Sequence, residues 1–209
     1  MTVKRDFKRE LASYRARRDS PVVVDVPDLR YLMIDGHGDP NTEVYATAVA
    51  ALYPVAYALK FASKRELERD YVVMPLEGLW WAEDMATFTD ARDKARWDWT
   101  MMIMVPDWIT PERFAAAVEH VGRKDRPARL DDLRIEDLSE GRCVQALHIG
   151  AYDDEADLLH HMHEEFIPGQ GLRMAGRHHE IYLSDHRRVE PATLRTILRQ
   201  PVVDARSSA

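Results

Sequence analysis

The order of predicted elements is the same in two stretches of the chain, and this repeat constrains the fold more than any single motif. The first stretch reads LRYLMIDGHGDPNTE, a long helix, YVVM and EGLWW; the second reads CVQALHIGAYDDE, a helix, LRMAG and EIYLS. In each, a strand ends at glycine and the helix follows an acidic cap. We therefore expect an α+β fold of two fused strand-helix-strand-strand units, with pseudo-two-fold symmetry and a mainly antiparallel sheet.

The length of the chain sets the predicted domain organisation. A chain of 209 residues suffices for one large domain or for two fused small units. We predict a charged N-terminal arm over residues 1–20, a single domain over 21–203 and a tail over 204–209. Within the domain, the first unit covers about 21–125 and the second about 130–203.

Two local features of the sequence predict where a helix is interrupted and where a further helix forms. Pro54 lies inside the long helix of the first unit and is expected to bend it or split it in two, because proline removes a helical hydrogen bond. Near the end of the chain, residues 193–200 are predicted to form a last short helix.

Composition limits the classes of partner. The formal net charge is -7, which argues against a general nucleic-acid or anionic-membrane binder. The N-terminal residues lack the apolar run of a signal sequence, and no segment approaches the roughly 20 apolar residues that span a bilayer. Cys143, the single cysteine, has no partner for an internal disulfide. We expect a cytoplasmic protein.

One strand carries a carboxylate beside its most apolar residues. In RHHEIYLSD, alternation places His178, Glu180 and Tyr182 on one face and His179, Ile181 and Leu183 on the other. Either the face of Glu180 is exposed to solvent, or it lines a partly apolar cavity in which an ionised carboxylate is costly and has a purpose. Glu77 before GLWW occupies the corresponding position of the first stretch.

Aromatic side chains are the candidates for ligand contacts. Strand parity puts Trp81 on the face of Glu77, and puts Trp97 and Trp99 together on one face of the long strand ARWDWTMMIMV. Tyr53 and Tyr57 lie on one stripe of the long helix. Each of these rings fits either a ligand-binding wall or the hydrophobic core, and we weigh the two about equally for the tyrosines.

The segment LHHMHEEF offers histidine and glutamate at helical spacing, which is one arrangement of a metal site. The HExxH pattern of zinc proteases is missing, and a solvated helix face explains the same residues. GHGDP has neither the spacing nor the lysine of a phosphate-binding loop. We predict no metal and no cofactor.

Four segments of the chain resemble the GyrI-like small-molecule-binding family, which includes effector-binding domains of multidrug-sensing transcription activators and stand-alone proteins. They are YLMIDGHGDPN, ALYPVAYALKF, YVVMPLEGLWW and HHEIYLSDHRRVEPATLRTILRQPV, and together they reach from about residue 29 to 203. One departure is His186, where relatives commonly have proline. With no predicted DNA-binding region ahead of it, the chain resembles the stand-alone kind.

The resemblance implies a ligand cleft between the two units and a late-strand glutamate surrounded by aromatic rings, here Glu180. It also implies binding of hydrophobic, planar or cationic xenobiotics. A stand-alone subfamily is associated with hydrolysis of cyclopropane-bearing, DNA-alkylating compounds, so we expect a hydrolase without metal or covalent nucleophile. Glu180 and Tyr182 are the expected catalytic residues, and His178, Trp81, Trp97, Trp99, Tyr53 and Tyr57 the expected ligand contacts. The alternative is non-catalytic binding, as drug sequestration or sensing, with a protein partner such as DNA gyrase.

Overall fold

The computed structural model describes residues 3–83, 93–185 and 187–205 of the chain. Most of the predicted tail, and His186, lie outside these ranges. The chain divides into two compact units. The first contains Met1–Glu10, Leu29–Met74 and Gly78–Leu138, and the second contains Leu11–Asp28, Pro75–Glu77 and Ser139–Ala209.

The described part of the chain contains both helices and strands. The strands are β1 (Val22–Val26), β2 (Leu29–His37), β3 (Leu76–Trp81), β4 (Asp98–Val105), β5 (Arg134–Leu138), β6 (Gly141–Ile149), β7 (Leu172–Met174), β8 (His178–Tyr182) and β9 (Arg195–Asp204). The helices are α1 (Phe7–Glu10), α2 (Glu43–Glu66), α3 (Pro111–Lys124), α4 (Ala156–His160) and α5 (Ile167–Gly169), with a π-helix over His161–Phe166. The fold is a mixture of helices and antiparallel sheet, as predicted.

In the first unit, β2 pairs antiparallel with β4 on one side and with β5 on the other. Helix α2 buries a stripe of mostly small and aliphatic side chains, made of Ala48, Ala51, Leu52, Val55, Ala56, Leu59, Lys60 and Ser63. The helix passes through Pro54 without interruption, so the predicted split is wrong. Pro54 lies on the exposed side of α2. Helix α2 is also long and apolar enough to pass as a membrane span, but its buried stripe is that of a core helix.

Two other predictions about regular structure, one in each unit, are wrong. YVVM is no strand, since only Tyr71 forms an isolated bridge, to Arg5. Residues 193–200 are not a helix: a single 3-10 turn over Pro191–Thr193 leads into strand β9. The apolar residues of β9 are almost all buried, and a fully buried strand lacks the alternation that distinguishes a strand from a helix.

Strand β9 is the centre of the sheet in the second unit. It pairs antiparallel with β6 along one edge and with β8 and then β7 along the other. LRMAG and EIYLS, which follow one another in the sequence, therefore run along the same neighbour. Between them Gly176 adopts φ 61°, a left-handed conformation that glycine allows without strain, and its Cα faces the ring of Pro201.

A helical segment made of α4, the π-helix and α5 covers one face of this sheet. Leu158, Met162 and Ile167 from the segment pack with Val144, Ala146, Leu172, Leu198 and Val202. Met162 and Ile167 are five residues apart, a spacing that brings both to the core only where the helix has π geometry. Strand β1 pairs with the outer edge of β6.

A close approach in the first unit generates a stability prediction. A Cβ atom at Gly36 would lie 1.9 Å from the ring of Trp99, its partner across the β2 to β4 pair. Trp99 is fully buried and donates its indole N–H to the Gly38 carbonyl at 3.1 Å, so the ring has no room to move. We expect Gly36→Ala to lower the free energy of unfolding by about 3 kcal/mol in urea denaturation.

Gly169→Ala is the matched control, because nothing lies within 4 Å of a Cβ built there. We expect a change of roughly 0.5 kcal/mol or less for this variant. Equal effects of the two substitutions would contradict the steric explanation.

Candidate functional site

Strand β8 presents its residues to two different environments. His179 and Ile181 are fully buried, whereas His178, Glu180 and Tyr182 are partly exposed, which confirms the predicted alternation. Glu180 is paired with Leu198 of β9, and Leu198 belongs to the core beneath the helical segment. Because paired residues project from the same side of a sheet, Glu180 lies on the face that the helical segment covers.

The carboxylate of Glu180 is held by its neighbours on the strand. The Tyr182 hydroxyl donates a hydrogen bond of 2.6 Å to Glu180 Oε2. His178 Nε2 lies 3.5 Å from Glu180 Oε1, without the alignment of a hydrogen bond. Tyr182 thus fixes one carboxylate oxygen and leaves the other available to a ligand or a water molecule.

Residues from the helical segment and the turn before it complete the site. The rings of Tyr152 and Tyr182 meet edge to face with centroids 5.6 Å apart. The rings of His163, on the π-helix, and His178 meet in the same way at 6.0 Å. Short π-helices occur frequently at functional sites. With Glu155, Glu180 and Thr196, these four residues form what we call the Glu180 cluster.

Glu155 is the most deeply buried acid of the cluster. Glu155 is only 4% exposed, and its Oε1 has no hydrogen-bond partner among the described residues. Burial, and then the negative charges of Glu180 and Asp153, raise the pKa of Glu155 to about 10. Glu155 is therefore a neutral carboxylic acid at pH 7.

Other buried polar atoms of the cluster also lack a protein partner. Within the described ranges they are His163 Nε2, His178 Nδ1, His178 Nε2 and Thr196 Oγ1. Burial, and next the neighbouring His178, lower the pKa of His163 to about 4, so its ring is neutral at pH 7. Buried polar groups without partners destabilise a protein, and their concentration at one place is typical of a binding site.

The other face of β8 contains a satisfied charged network. His179 contacts Glu140 Oε1 through Nδ1 at 2.9 Å and Glu77 Oε2 through Nε2 at 3.1 Å. Tyr14 donates to Glu77 Oε1 at 2.6 Å, and Arg199 donates to Glu140 Oε2 at 2.7 Å. Both ring nitrogens of His179 face carboxylates, which makes it an imidazolium that donates twice.

The pKa shifts in this network follow from its charges. Burial alone would raise the pKa of Glu140, but His179 and Arg199 outweigh burial and lower it to about 2. Burial would likewise lower the pKa of His179, but Glu140 and Glu77 raise it above its ordinary value. Glu77 matches Glu180 in sequence position, yet it is fully buried in this network, whereas Glu180 is partly exposed.

The predicted aromatic ligand contacts are all in the first unit. Trp97 packs edge to face on Trp80 with centroids 5.8 Å apart, and Trp99 is fully buried against Gly36. Tyr57 is 47% exposed, while Trp81 and Tyr53 are half-buried. Their role as ligand contacts stays a prediction.

Sequence reasoning missed Glu155, Tyr152 and Thr196 as members of the site and treated His163 only as part of a possible metal motif. The available signal was the repeated acidic helix start, which we interpreted as capping. Yet the Glu155 side chain makes no capping hydrogen bond to α4. Within the described ranges, no group of three or more histidine, cysteine, aspartate or glutamate side chains is arranged so that it could hold a metal ion.

An α+β protein with such a cluster of aromatic and unpartnered polar groups has the features of a small-molecule binder. Residues 19–203 match the GyrI-like small molecule binding domain, and the chain belongs to that family. No protein with curated function matches it in sequence.

The chain is also similar to solved structures of three proteins from Listeria innocua. One is an uncharacterized conserved protein with 38% identity and a TM-score of 0.88. Two are described as hydrolases, with 36% and 35% identity and TM-scores of 0.86 and 0.84. Each similarity covers 96% of this chain and 100% of the other.

The charged network predicts a large effect of removing its imidazolium. His179→Leu leaves Glu77 and Glu140 buried with one cation fewer, so we expect a loss of about 3–5 kcal/mol in the free energy of unfolding. His148→Leu is the control, because His148 is also buried but its Nε2 contacts a neutral carbonyl, that of Ala151. We expect His148→Leu to lower the free energy of unfolding by about 1 kcal/mol. A loss at His179 no larger than at His148 would contradict the charge argument.

Glu155 predicts a pH dependence of stability. Its folded pKa of about 10 is above the ordinary value of 4.5, so between these values the folded chain retains a proton that the unfolded chain releases. Stability therefore falls as pH rises through this window, by at most about 1.4 kcal/mol per pH unit. We expect Glu155→Gln to be more stable than the wild type at pH 7, with a difference that grows from pH 5 to pH 8.

Urea denaturation at several pH values measures this difference, and contributions from other groups cancel between the two proteins. Asp154→Asn, which changes an exposed carboxylate beside Glu155, serves as the control. A difference between wild type and Glu155→Gln that stays constant with pH would show that Glu155 is ionised in the folded protein.

Proposed function

We propose that the protein binds hydrophobic, planar or cationic xenobiotics at the Glu180 cluster and hydrolyses cyclopropane-bearing, DNA-alkylating compounds. The observation that carries the proposal is Glu180 itself, a partly buried carboxylate that Tyr182 orients. Around it lie buried polar atoms that have no hydrogen-bond partner in the described part of the chain. Similar chains from Listeria innocua described as hydrolases support the catalytic part.

The walls of the cluster suit an aromatic or cationic guest. Tyr152 and Tyr182 offer ring faces and edges, which attract planar molecules by dispersion and cations by their quadrupole. Glu180 and neighbouring acids make the surroundings negative. Burial and the charges of Glu180, Glu155 and Asp185 raise the pKa of Tyr152 to about 12. We include Trp81, Trp97, Trp99, Tyr53 and Tyr57 in the proposal as further ligand contacts.

The proposed reaction is the addition of water to a strained ring conjugated to a carbonyl group. Glu180 accepts a proton from water as the water oxygen bonds to a ring carbon. The strained carbon–carbon bond breaks, and its electron pair moves through the conjugated system to the carbonyl oxygen, which gains a proton. Relief of ring strain drives the step, so a positioned base and a polar environment suffice.

The net charge and the proposed substrate together suggest where the protein acts. A net charge of -7 is unfavourable for direct binding of nucleic acid, and we propose a cytoplasmic protein that intercepts the alkylating compound before it reaches DNA.

The test is turnover of a duocarmycin-type cyclopropane compound, followed as ring-opened product by mass spectrometry. We expect wild-type turnover above the buffer rate and a loss of about 100-fold or more in Glu180→Gln. Tyr182→Phe removes the hydrogen bond that orients the carboxylate, and we expect a smaller loss of about 10-fold.

Glu165→Gln is the matched control, because Glu165 is an exposed glutamate on the π-helix, where it contacts His161. Saturable binding measured by calorimetry, with product formation no faster than in buffer, would replace the hydrolase with a sequestering or sensing protein. Full activity of Glu180→Gln would remove Glu180 from the reaction.

A further inference from the structure

The proposed reaction needs a proton for the carbonyl oxygen, and its most evident donor is already engaged. Tyr182 donates its hydroxyl proton to Glu180 at 2.6 Å. Within the same cluster, Glu155 is a second carboxyl group, and none of the described residues hydrogen-bonds to its Oε1. The reaction as described above assigns it no role.

The groups around Glu155 come from three elements. Glu180 acts on it from β8 and Asp153 from its own turn, and Thr196 faces it from β9. His178, on β8, lies beside Glu180 at 3.5 Å. None of the described groups that act on the Glu155 carboxyl is a lysine or an arginine.

Burial in these surroundings determines the protonation state. An ionised carboxylate that is 4% exposed and has no cationic partner is strongly destabilised, and a second negative charge at Glu180 increases the cost. Two carboxyl groups in one site therefore share one proton, and the more buried group holds it. Glu155 is the more buried of the two.

We propose that Glu155 is the proton donor of this site and that Glu155 and Glu180 act as an acid and base pair on a neutral ligand that carries a conjugated carbonyl group. The proposal rests on the hydrolase function proposed above and adds a second catalytic residue to it. It also selects a substrate class, because a protonated Glu155 donates a hydrogen bond to a neutral acceptor.

The proton balance of the pair closes over one turnover. Water gives one proton to Glu180 and its oxygen to the ring carbon, and the carbonyl oxygen takes the proton of Glu155 to become a hydroxyl group. Glu155 is then an anion and Glu180 a neutral acid. Transfer of one proton from Glu180 to Glu155 restores the starting state, and the net change is addition of one water molecule.

The acidity of Glu155 suits this role. Burial and the negative charges of Glu180 and Asp153 raise its pKa, so the carboxyl group keeps its proton until a stronger base forms beside it. The carbonyl oxygen becomes more basic as the ring opens, which favours proton transfer late in the step. Glu155 also remains protonated, and ready to donate, throughout the physiological pH range.

The first experiment compares wild type, Glu155→Gln and Asp154→Asn in turnover and in binding of the same cyclopropane compound. Glutamine keeps the size and a hydrogen-bond donor but has no transferable proton. We expect kcat of Glu155→Gln to fall about 100-fold while the Kd from calorimetry changes by less than about threefold. Asp154→Asn, one residue away and exposed, should keep wild-type values.

The second experiment observes the proton directly, by infrared spectroscopy of the free protein at pH 7 and pH 8. We expect the carbonyl stretch of a protonated carboxylic acid in wild type and in Asp154→Asn, and its loss in Glu155→Gln. The same band in Glu155→Gln, or its absence from wild type, would overturn the proposal.

The two proposals fail in different ways. Absence of wild-type turnover would reject the hydrolase function, and the donor role with it. Normal wild-type turnover with undiminished kcat in Glu155→Gln would reject the donor role alone. A Glu155→Gln protein that loses binding as well as turnover would also reject it, because Glu155 would then be a ligand contact and not a proton donor.

Discussion

The double hydrogen bond of His179 to Glu77 and Glu140 is the interaction on which the second unit depends. It lies in a row across three strands, where Gln145, Arg199 and His179 stand side by side. Arg199 donates to Gln145 Oε1 at 3.1 Å and to the Ser13 carbonyl at 2.6 Å, so the row also holds the N-terminal segment. A shift of β8 by one residue would remove the imidazolium from its acids and turn Glu180 away from the helical segment. The network thereby fixes which face of the strand carries the site.

The two faces of β8 differ in whether their buried carboxyl groups are balanced by cations. On one face Glu77 and Glu140 are balanced by His179 and Arg199, and the hydrogen bonds are satisfied. On the other face, the residues that the structure describes leave Glu155 without a cation and several buried polar atoms without partners. The first arrangement holds the fold in one conformation and leaves no group available for a ligand or a reaction. The second weakens the fold locally and leaves groups whose hydrogen-bonding capacity only another molecule can use.

Much of this fold follows from patterns that are visible in the sequence, and the exceptions have physical causes. The alternation of RHHEIYLSD correctly placed His178, Glu180 and Tyr182 together, because a strand has a strict two-residue period. Strand alternation does not show which face of the sheet a helix covers. The sequence therefore did not indicate that Glu155 and His163 belong to the Glu180 cluster. Residues 193–200 were mistaken for a helix because β9 is buried on both faces. Glu77 and Glu180 occupy matching positions in the sequence. Glu77 is a structural acid because Tyr14 and His179, which are distant along the chain, contact it.

Gly36 and Trp99 share a single packing volume. The indole ring occupies the space in which a side chain at position 36 would lie, so the two residues divide a fixed amount of room between them. Evolution is therefore able to change either position only in step with the other. Among related chains, a smaller residue at position 99 should accompany a side chain at position 36, and this covariation would be a mark of the pair in sequences alone.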